Sequence, residues 1–183
     1  YFTIIFLATF CFSLMDGMYQ YFNGFNFLGF EAQPSRMTLV FNDKMLLGGY
    51  LARLFPLMFG LLIYLYSGKN WVIVFSSILL ILTDILIYIS GERTAIALLF
   101  STSIFIIIFI KRFKLIRVIT IVISISILFL LTIKDENIKH RIIGTTLHQM
   151  NIIYNFDNIV YFSKTHENLF STSWNMFLEN PIT

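Results

Sequence analysis

Arginine is the side chain best suited to gripping a phosphate, because its planar fork donates two parallel hydrogen bonds and keeps its charge at any ordinary pH. The chain puts Arg93 beside Glu92 in "ISGERTAIALLF", between two runs of almost unbroken hydrocarbon side chains. Arg36 follows in "EAQPSRMTL" and Arg53 in "GGYLARLFP". Ser90 or Gly91 is positioned to cap a helix that opens at Arg93, with Glu92 in its first turn, where the helix dipole favours a carboxylate. An arginine beside such a helix start suits a phosphate or diphosphate at headgroup level. It equally suits plain snorkelling, with the stem in hydrocarbon and the head in water. Spacing by itself favours the second reading for both Arg36 and Arg93.

The other chemical candidates are an imidazole and a charged pair. "KTHENLFSTSWNMFLENP" reads as a helix that begins near Thr165, shows apolar residues at Leu169, Phe170, Trp174, Phe177 and Leu178, and stops before Pro181. His166 falls in its first turn, where the dipole disfavours protonation and leaves a neutral imidazole able to accept a proton. A lone interfacial histidine is more often only a polar contact. His140 and His148 have no third ligand at suitable spacing and the acids are scattered, so no metal site is predicted. No P-loop or dinucleotide fingerprint is present, and no cofactor or nucleic-acid partner is expected. Energy for a reaction would have to come from the substrate, such as an activated lipid diphosphate.

These residues have to be held by elements that live in a bilayer. Of 183 residues 57% are hydrophobic and 13% charged, with a mean hydropathy of +0.79, which excludes a water-soluble domain of this length. Outer-membrane strands would alternate apolar and polar residues, a pattern the sequence lacks. The fold class expected is all-α: a polytopic transmembrane helix bundle of about five spans with an outward-facing amphipathic helical segment, one membrane domain over 1–183. The spans are read as about 1–15, 45–66, 71–90, 94–110 and 118–133, with outer loops 16–44 and 134–183. Cys11 lies inside the first span as a small core residue and allows no internal disulfide. No signal peptide can be read before Tyr1, and both ends read as cut, so an internal fragment of a longer protein is expected.

Orientation follows from the basic residues of the short loops, which are retained in the cytoplasm. "KRFKLIR", Lys111 to Arg117, carries four basic residues and no acid. Two spans separate it from the turn Ser67-Gly68-Lys69-Asn70, so both lie on one side. That side is the cytoplasmic one, with Tyr66 and Trp71 in the inner aromatic belt, and Glu92 and Arg93 at the outer surface. Arg53 and Asp84 are predicted inside spans, each roughly 23 Å from the Gly68–Lys69 turn at about 1.5 Å per residue. Equal depth in an antiparallel hairpin suggests an ion pair, either locking two helices or shaping a substrate cavity. Pro56, a turn below Arg53, removes a backbone hydrogen bond and favours a kink near that cavity. The aromatic loop "YQYFNGFNFLGF" is expected to lie in the headgroups rather than offer rings to sugars.

Three segments, in this order and on one predicted side, resemble the bacterial O-antigen polymerase and O-antigen ligase family of membrane glycosyltransferases. They are "SRMTLVFNDKMLLGGYLARLFP", "SGERTA" and "HENLFSTSWNMFLENPI". Departures are Lys44, where that pattern has an acid, and the lack of a glycine-rich stretch after the Asn-Pro-Ile. The resemblance implies an undecaprenyl-diphosphate-linked glycan as donor and metal-independent transfer at the outer face of the bacterial inner membrane. By position it implies Arg36 and Arg93 as the diphosphate-binding residues and His166 as the residue that deprotonates or orients the acceptor hydroxyl. Arg53, Asp84 and Glu92 would support them. The lipid bilayer and a chain-length regulator protein would be its partners, and the fragment would be incomplete as a catalyst. Polymerisation of repeat units is the function expected first, ligation to a lipid A core second, and a polysaccharide or ion transporter or flippase third, with Arg53 and Asp84 in its pathway. Transport would call for polar residues along several spans and for repeated halves. The spans otherwise carry mostly Ser and Thr, and no internal repeat is found.

Overall fold

The computed structural model of the protein describes residues 1–32, 37, 46–66, 68–134, 144, 164–179 and 181. The chain forms two compact units, Tyr1–Ile138 and Lys139–Thr183. The first is an all-α bundle made from α1 (Phe2–Asn23), α2 (Leu47–Tyr66), α3 (Trp71–Ile89), α4 (Arg93–Phe109) and α5 (Lys114–Lys134), with a 3-10 turn at Lys111–Phe113 before α5. The described part of the second is α6 (Lys164–Glu179). Among the described residues the only β pairing is an isolated bridge between Phe25 and Glu31.

The first unit is a multi-pass membrane bundle. α1, α2, α3 and the stretch Lys111–Ile133 are long and apolar enough to cross a bilayer. α4 is shorter at 17 residues, or about 25 Å. Leu47, Leu51, Phe55, Met58 and Leu62 recur at helical spacing and form the buried face of α2. Large apolar side chains also cover the outside, including Phe12 and Met15 on α1, Val118 and Val122 on α5, and Phe105 and Phe109 on α4. That is how a bundle looks when its solvent is hydrocarbon and apolar burial no longer separates inside from outside.

Two contacts fix the ends. A Cβ on Gly17 of α1 would lie 3.2 Å from Leu86 of α3 and 3.7 Å from Leu47 of α2. Gly48 of α2 abuts Ser90, Glu92 and Ala95. The C-termini of α1 and α3 therefore meet the N-termini of α2 and α4 at one end of the bundle, the Glu92 end. At the Lys69 end, the Lys69 ammonium lies over the Tyr66 ring at 5.5 Å, and Tyr66 contacts Trp71 at 5.6 Å.

α2, α3 and α4 start and stop within two residues of the sequence reading, and the other two helices are longer than expected. α1 continues past Met15 to Asn23 because Asp16, Gly17 and Gln20 face the bundle. It stops at Gly24, whose φ of 82° and N–H bond to Gln20 O make a left-handed cap. α5 opens at Lys114 rather than Val118. Phe113 is buried in the turn before it, edge-on to Phe59 at 5.4 Å, and this anchor holds the connection tight. Arg117 consequently lies inside the helix.

This changes the partner of Asp84. The expected pair with Arg53 does not form. Arg53 is exposed on α2, whereas Asp84 accepts two hydrogen bonds from Arg117, Nη1 to Oδ2 at 2.8 Å and Nη2 to Oδ1 at 2.9 Å. Arg53 lies off the buried face of α2, whereas Asp84 lies on the buried face of α3. Ser124 of α5 donates to Asp84 Oδ2 at 2.9 Å, and Arg117 Nε donates to Ser103 of α4 at 3.1 Å. The side chains of Arg117 and Asp84 retain only 2% and 6% of their surface, so three helices meet on one closed ionic knot.

Lys69, Lys111, Arg112 and Lys114 are exposed at the Lys69 end, where the described residues include no acid, and Arg53 and Arg93 are exposed elsewhere on the bundle.

Breaking a buried pair from one side strands a charge and costs about 3–5 kcal/mol, whereas replacing both partners by apolar residues is often neutral. Arg117→Met should therefore lower the thermal midpoint of the detergent-solubilised protein sharply, and the double variant Arg117→Met, Asp84→Leu should recover most of the loss. Additive losses in the double variant would contradict the pairing.

Candidate functional site

The first amides of any helix lack intrahelical acceptors, and their dipoles make that end electropositive. At the start of α2 the need is met from far along the chain. Gly48 N donates to Glu92 Oε1 at 2.9 Å and Gly49 N donates to Glu92 Oε2 at 2.8 Å. One carboxylate thus spreads both oxygens over two consecutive amides, an arrangement of charge-assisted bonds. The glycines make the approach feasible. A Cβ on Gly48 would collide with Ser90 Oγ and come within 3.2 Å of Ala95 Cβ, and one on Gly49 would sit 3.1 Å from Glu92 Oε2.

Glu92 therefore serves a different helix from the one expected. It occupies the N-cap position of α4 in an extended conformation, φ −92° and ψ 103°, and its side chain makes no bond to the α4 amides. Ser90 closes α3 instead of opening α4, with its hydroxyl donating to Ile87 O at 2.7 Å. Gly91, at φ 69°, supplies the left-handed residue that reverses the chain between them.

Arg93 is the first residue of α4 and is exposed. The first bond within that helix runs from Ile96 N to Glu92 O at 3.2 Å, so the amides of Arg93, Thr94 and Ala95 form its electropositive end. Arg53 stands one helical turn beyond Gly49 on the same side of α2. It is exposed and has no hydrogen-bond or ion-pair partner among the described residues. Two guanidinium-bearing positions, the start of α4 and a carboxylate hydrogen-bonded through both oxygens are thus collected at the Glu92 end. Guanidinium groups beside a helix start can attract an anion, and two amides of α2 share the Glu92 carboxylate.

The remaining candidates are distributed as follows. Arg36 lies outside the described residues. His166 is the third residue of α6, in the second unit, within the helix that the sequence reading expected from near Thr165. Leu169, Phe170, Trp174, Phe177 and Leu178 of that helix are exposed. Asp84 belongs to the ionic knot with Arg117 and is not joined to Arg53. Among the described residues no group of three or more His, Cys, Asp or Glu could hold a metal ion.

Two participants escaped the sequence reading. Arg117 was counted with a basic loop, although Arg117, Thr120 and Ser124 recur at i, i+3 and i+7 and mark a polar stripe on a helix. The Gly48-Gly49 pair at the start of a span signalled close backbone approach, but nothing local named Glu92 as what approaches.

Comparison with protein-family models, with curated proteins and with solved structures finds no match.

A hydrogen bond to a charged group contributes about 1.5–3 kcal/mol, and Glu92 makes two to α2. Glu92→Ala should destabilise the bundle by several degrees in a thermal melt, Glu92→Gln by distinctly less because one carbonyl oxygen is retained, and Gly48→Ala by at least as much as Glu92→Ala. Equal stability of all three with the parent protein would remove the carboxylate clamp from this description.

Proposed function

We propose that this chain carries the diphosphate-binding part of a metal-independent glycosyltransferase that polymerises undecaprenyl-diphosphate-linked repeat units at the outer face of a bacterial inner membrane. The reading rests on the resemblance of three segments to the O-antigen polymerase and ligase family. The observation that carries it furthest is the Glu92 clamp, which joins two of those segments, "LLGGYLAR" and "SGERTA", through a pair of hydrogen bonds. Cation placement at the Lys69 end supports an outward orientation for the Glu92 end.

In this reading Arg93, with Arg36, holds the diphosphate and stabilises the charge that grows on it as the glycosidic bond to phosphate breaks. The acceptor hydroxyl oxygen forms the new bond to the anomeric carbon, its proton passes to His166, and undecaprenyl diphosphate leaves. Glu92 orients Arg93 from the adjacent position, and Arg53 adds a second positive charge. Asp84 has a structural role through Arg117. Ligation to a lipid A core uses the same donor chemistry and differs in acceptor. Loss of a polymerase leaves single repeat units on the cell surface, and loss of a ligase leaves none.

The buried Asp84–Arg117 pair is the observation that favours a transporter. Its bidentate geometry, with further hydrogen bonds from Arg117 to Ser103 and from Ser124 to Asp84, fits a lock between helices better than a transfer pathway.

The test is elongation of a lipid-diphosphate glycan by the purified intact protein without nucleotide and in the presence of a chelator. Turnover should persist under those conditions and fall by two orders of magnitude or more in Arg93→Ala and in His166→Ala, with Arg93→Lys recovering only part of it. Turnover that survives both alanine substitutions would refute the site.

A further inference from the structure

The Lys69 end carries a second surface. From Met45 to Lys134 the sequence contains two acids, Asp84 and Glu92. Asp84 pairs with Arg117 inside the bundle, and Glu92 holds the start of α2. The turn between α4 and α5 brings three cations within four residues, Lys111, Arg112 and Lys114, and all three are exposed. The residue among them is Phe113, which is 0% exposed and lies edge-on to Phe59 of α2 at 5.4 Å. With Phe113 inserted as a wedge, its neighbours on either side are turned away from the bundle. Among the described residues, none of the three cations has a hydrogen-bond or ion-pair partner.

These charges stay close to hydrocarbon. Phe109, just before the turn, and Leu115 and Val118, just after it, are exposed on helices of the membrane bundle. The basic turn is thus bracketed by apolar side chains that face outward, and long stems let its charged heads reach a polar surface while they remain beside that apolar flank. Lys69, in the turn between α2 and α3, has its ammonium 5.5 Å from the centre of the Tyr66 ring, and Tyr66 meets Trp71 at 5.6 Å. Tyrosine and tryptophan at the end of an apolar helix pair are the rings favoured where a bilayer meets water. Four positive charges without a neighbouring acid among the described residues call for a partner of net negative charge. A zwitterionic headgroup brings its own cation against the protein's cations, and an anionic headgroup does not.

We propose that Lys69, Lys111, Arg112 and Lys114 form a docking surface for the headgroups of anionic phospholipids in the leaflet at this end of the bundle. The Arg112 guanidinium holds a lipid phosphate through parallel hydrogen bonds, and the three ammonium groups add point charge around it. A lipid fits better than a soluble anion because the apolar side chains next to the cations, Phe109 and Leu115, receive the acyl chains of the same molecule. The surface lies at the opposite end from Glu92 and Arg93, and it forms whether or not that end takes a diphosphate.

Spin-labelled lipids test this. The intact protein is reconstituted in phosphatidylcholine vesicles, and the motionally restricted fraction of a trace of spin-labelled phosphatidylglycerol is compared with that of spin-labelled phosphatidylcholine. Association of phosphatidylglycerol should exceed that of phosphatidylcholine severalfold, and the excess should shrink as sodium chloride is raised. Combining Lys69→Gln, Lys111→Gln, Arg112→Gln and Lys114→Gln should remove most of the excess while the restricted phosphatidylcholine, which reports an intact lipid-facing perimeter, stays unchanged. The pair Lys111→Gln, Arg112→Gln should remove part of it, and the pair Arg53→Gln, Arg93→Gln should leave most of it in place. Equal association of the two lipids in the parent protein, or an excess that survives the quadruple substitution, would overturn the surface. Sodium phosphate and sodium chloride at equal ionic strength should act alike, and a loss of the excess specific to phosphate would overturn the choice of a lipid over a soluble anion.

Discussion

A polar group in hydrocarbon has no water to bond with, and this constraint determines how the bundle is tied together. Asp84 reaches Arg117, 33 residues away. Glu92 reaches the amides of Gly48 and Gly49, 44 and 43 residues away. Asp16 reaches Phe27, 11 residues away. Each carboxylate joins two separate pieces of chain. Apolar contact cannot choose a register when the outside of the bundle is as greasy as the inside. The three carboxylates can, because only one arrangement leaves none of them without a donor.

The ties also explain the asymmetry between the two ends. At the Lys69 end the helices are held by rings, Phe59 on Phe113 and Tyr66 on Trp71, and the cations are left exposed. At the Glu92 end the backbone itself is clamped. Gly48 and Gly49 bring α2 within hydrogen-bonding distance of the α3–α4 joint, so the separation between the starts of α2 and α4 is set by a single carboxylate rather than by long side chains. The diphosphate site proposed for this end would gain from that rigidity, since guanidinium forks discriminate by geometry more than by charge.

Much of this was legible in the sequence, and what was not has a common cause. The apolar runs disclosed the spans, Gly24 and Gly91 mark two of the chain reversals, and the basic residues around Lys111 disclosed one end of the bundle. Asp84 was assigned to the inside of a span, and it is a buried residue of α3. Its partner was missed because depth is a property of one helix, while pairing depends on which faces two helices turn to each other. Arg53 and Arg117 were both within reach, and the polar stripe Arg117, Thr120 and Ser124 was the discriminating signal. Glu92 was assigned to the nearest helix start because sequence rules for caps are local, whereas here the cap comes from another helix. Asp16 was given to a loop because an acid after an apolar run resembles a boundary. In the folded chain it is a buried residue that holds the loop.

The central claim, that the Glu92 end receives a lipid-linked diphosphate, is tested most directly by photo-crosslinking. A photoreactive undecaprenyl diphosphate is incubated with the intact protein in membranes, and the labelled peptides are mapped against a neutral polyprenol probe. The account predicts diphosphate-dependent labelling confined to the starts of α2 and α4, around Tyr50 and Arg93, and lost in Arg93→Ala. Labelling concentrated around Lys69 and Lys111, or equal labelling by the neutral probe, would contradict it.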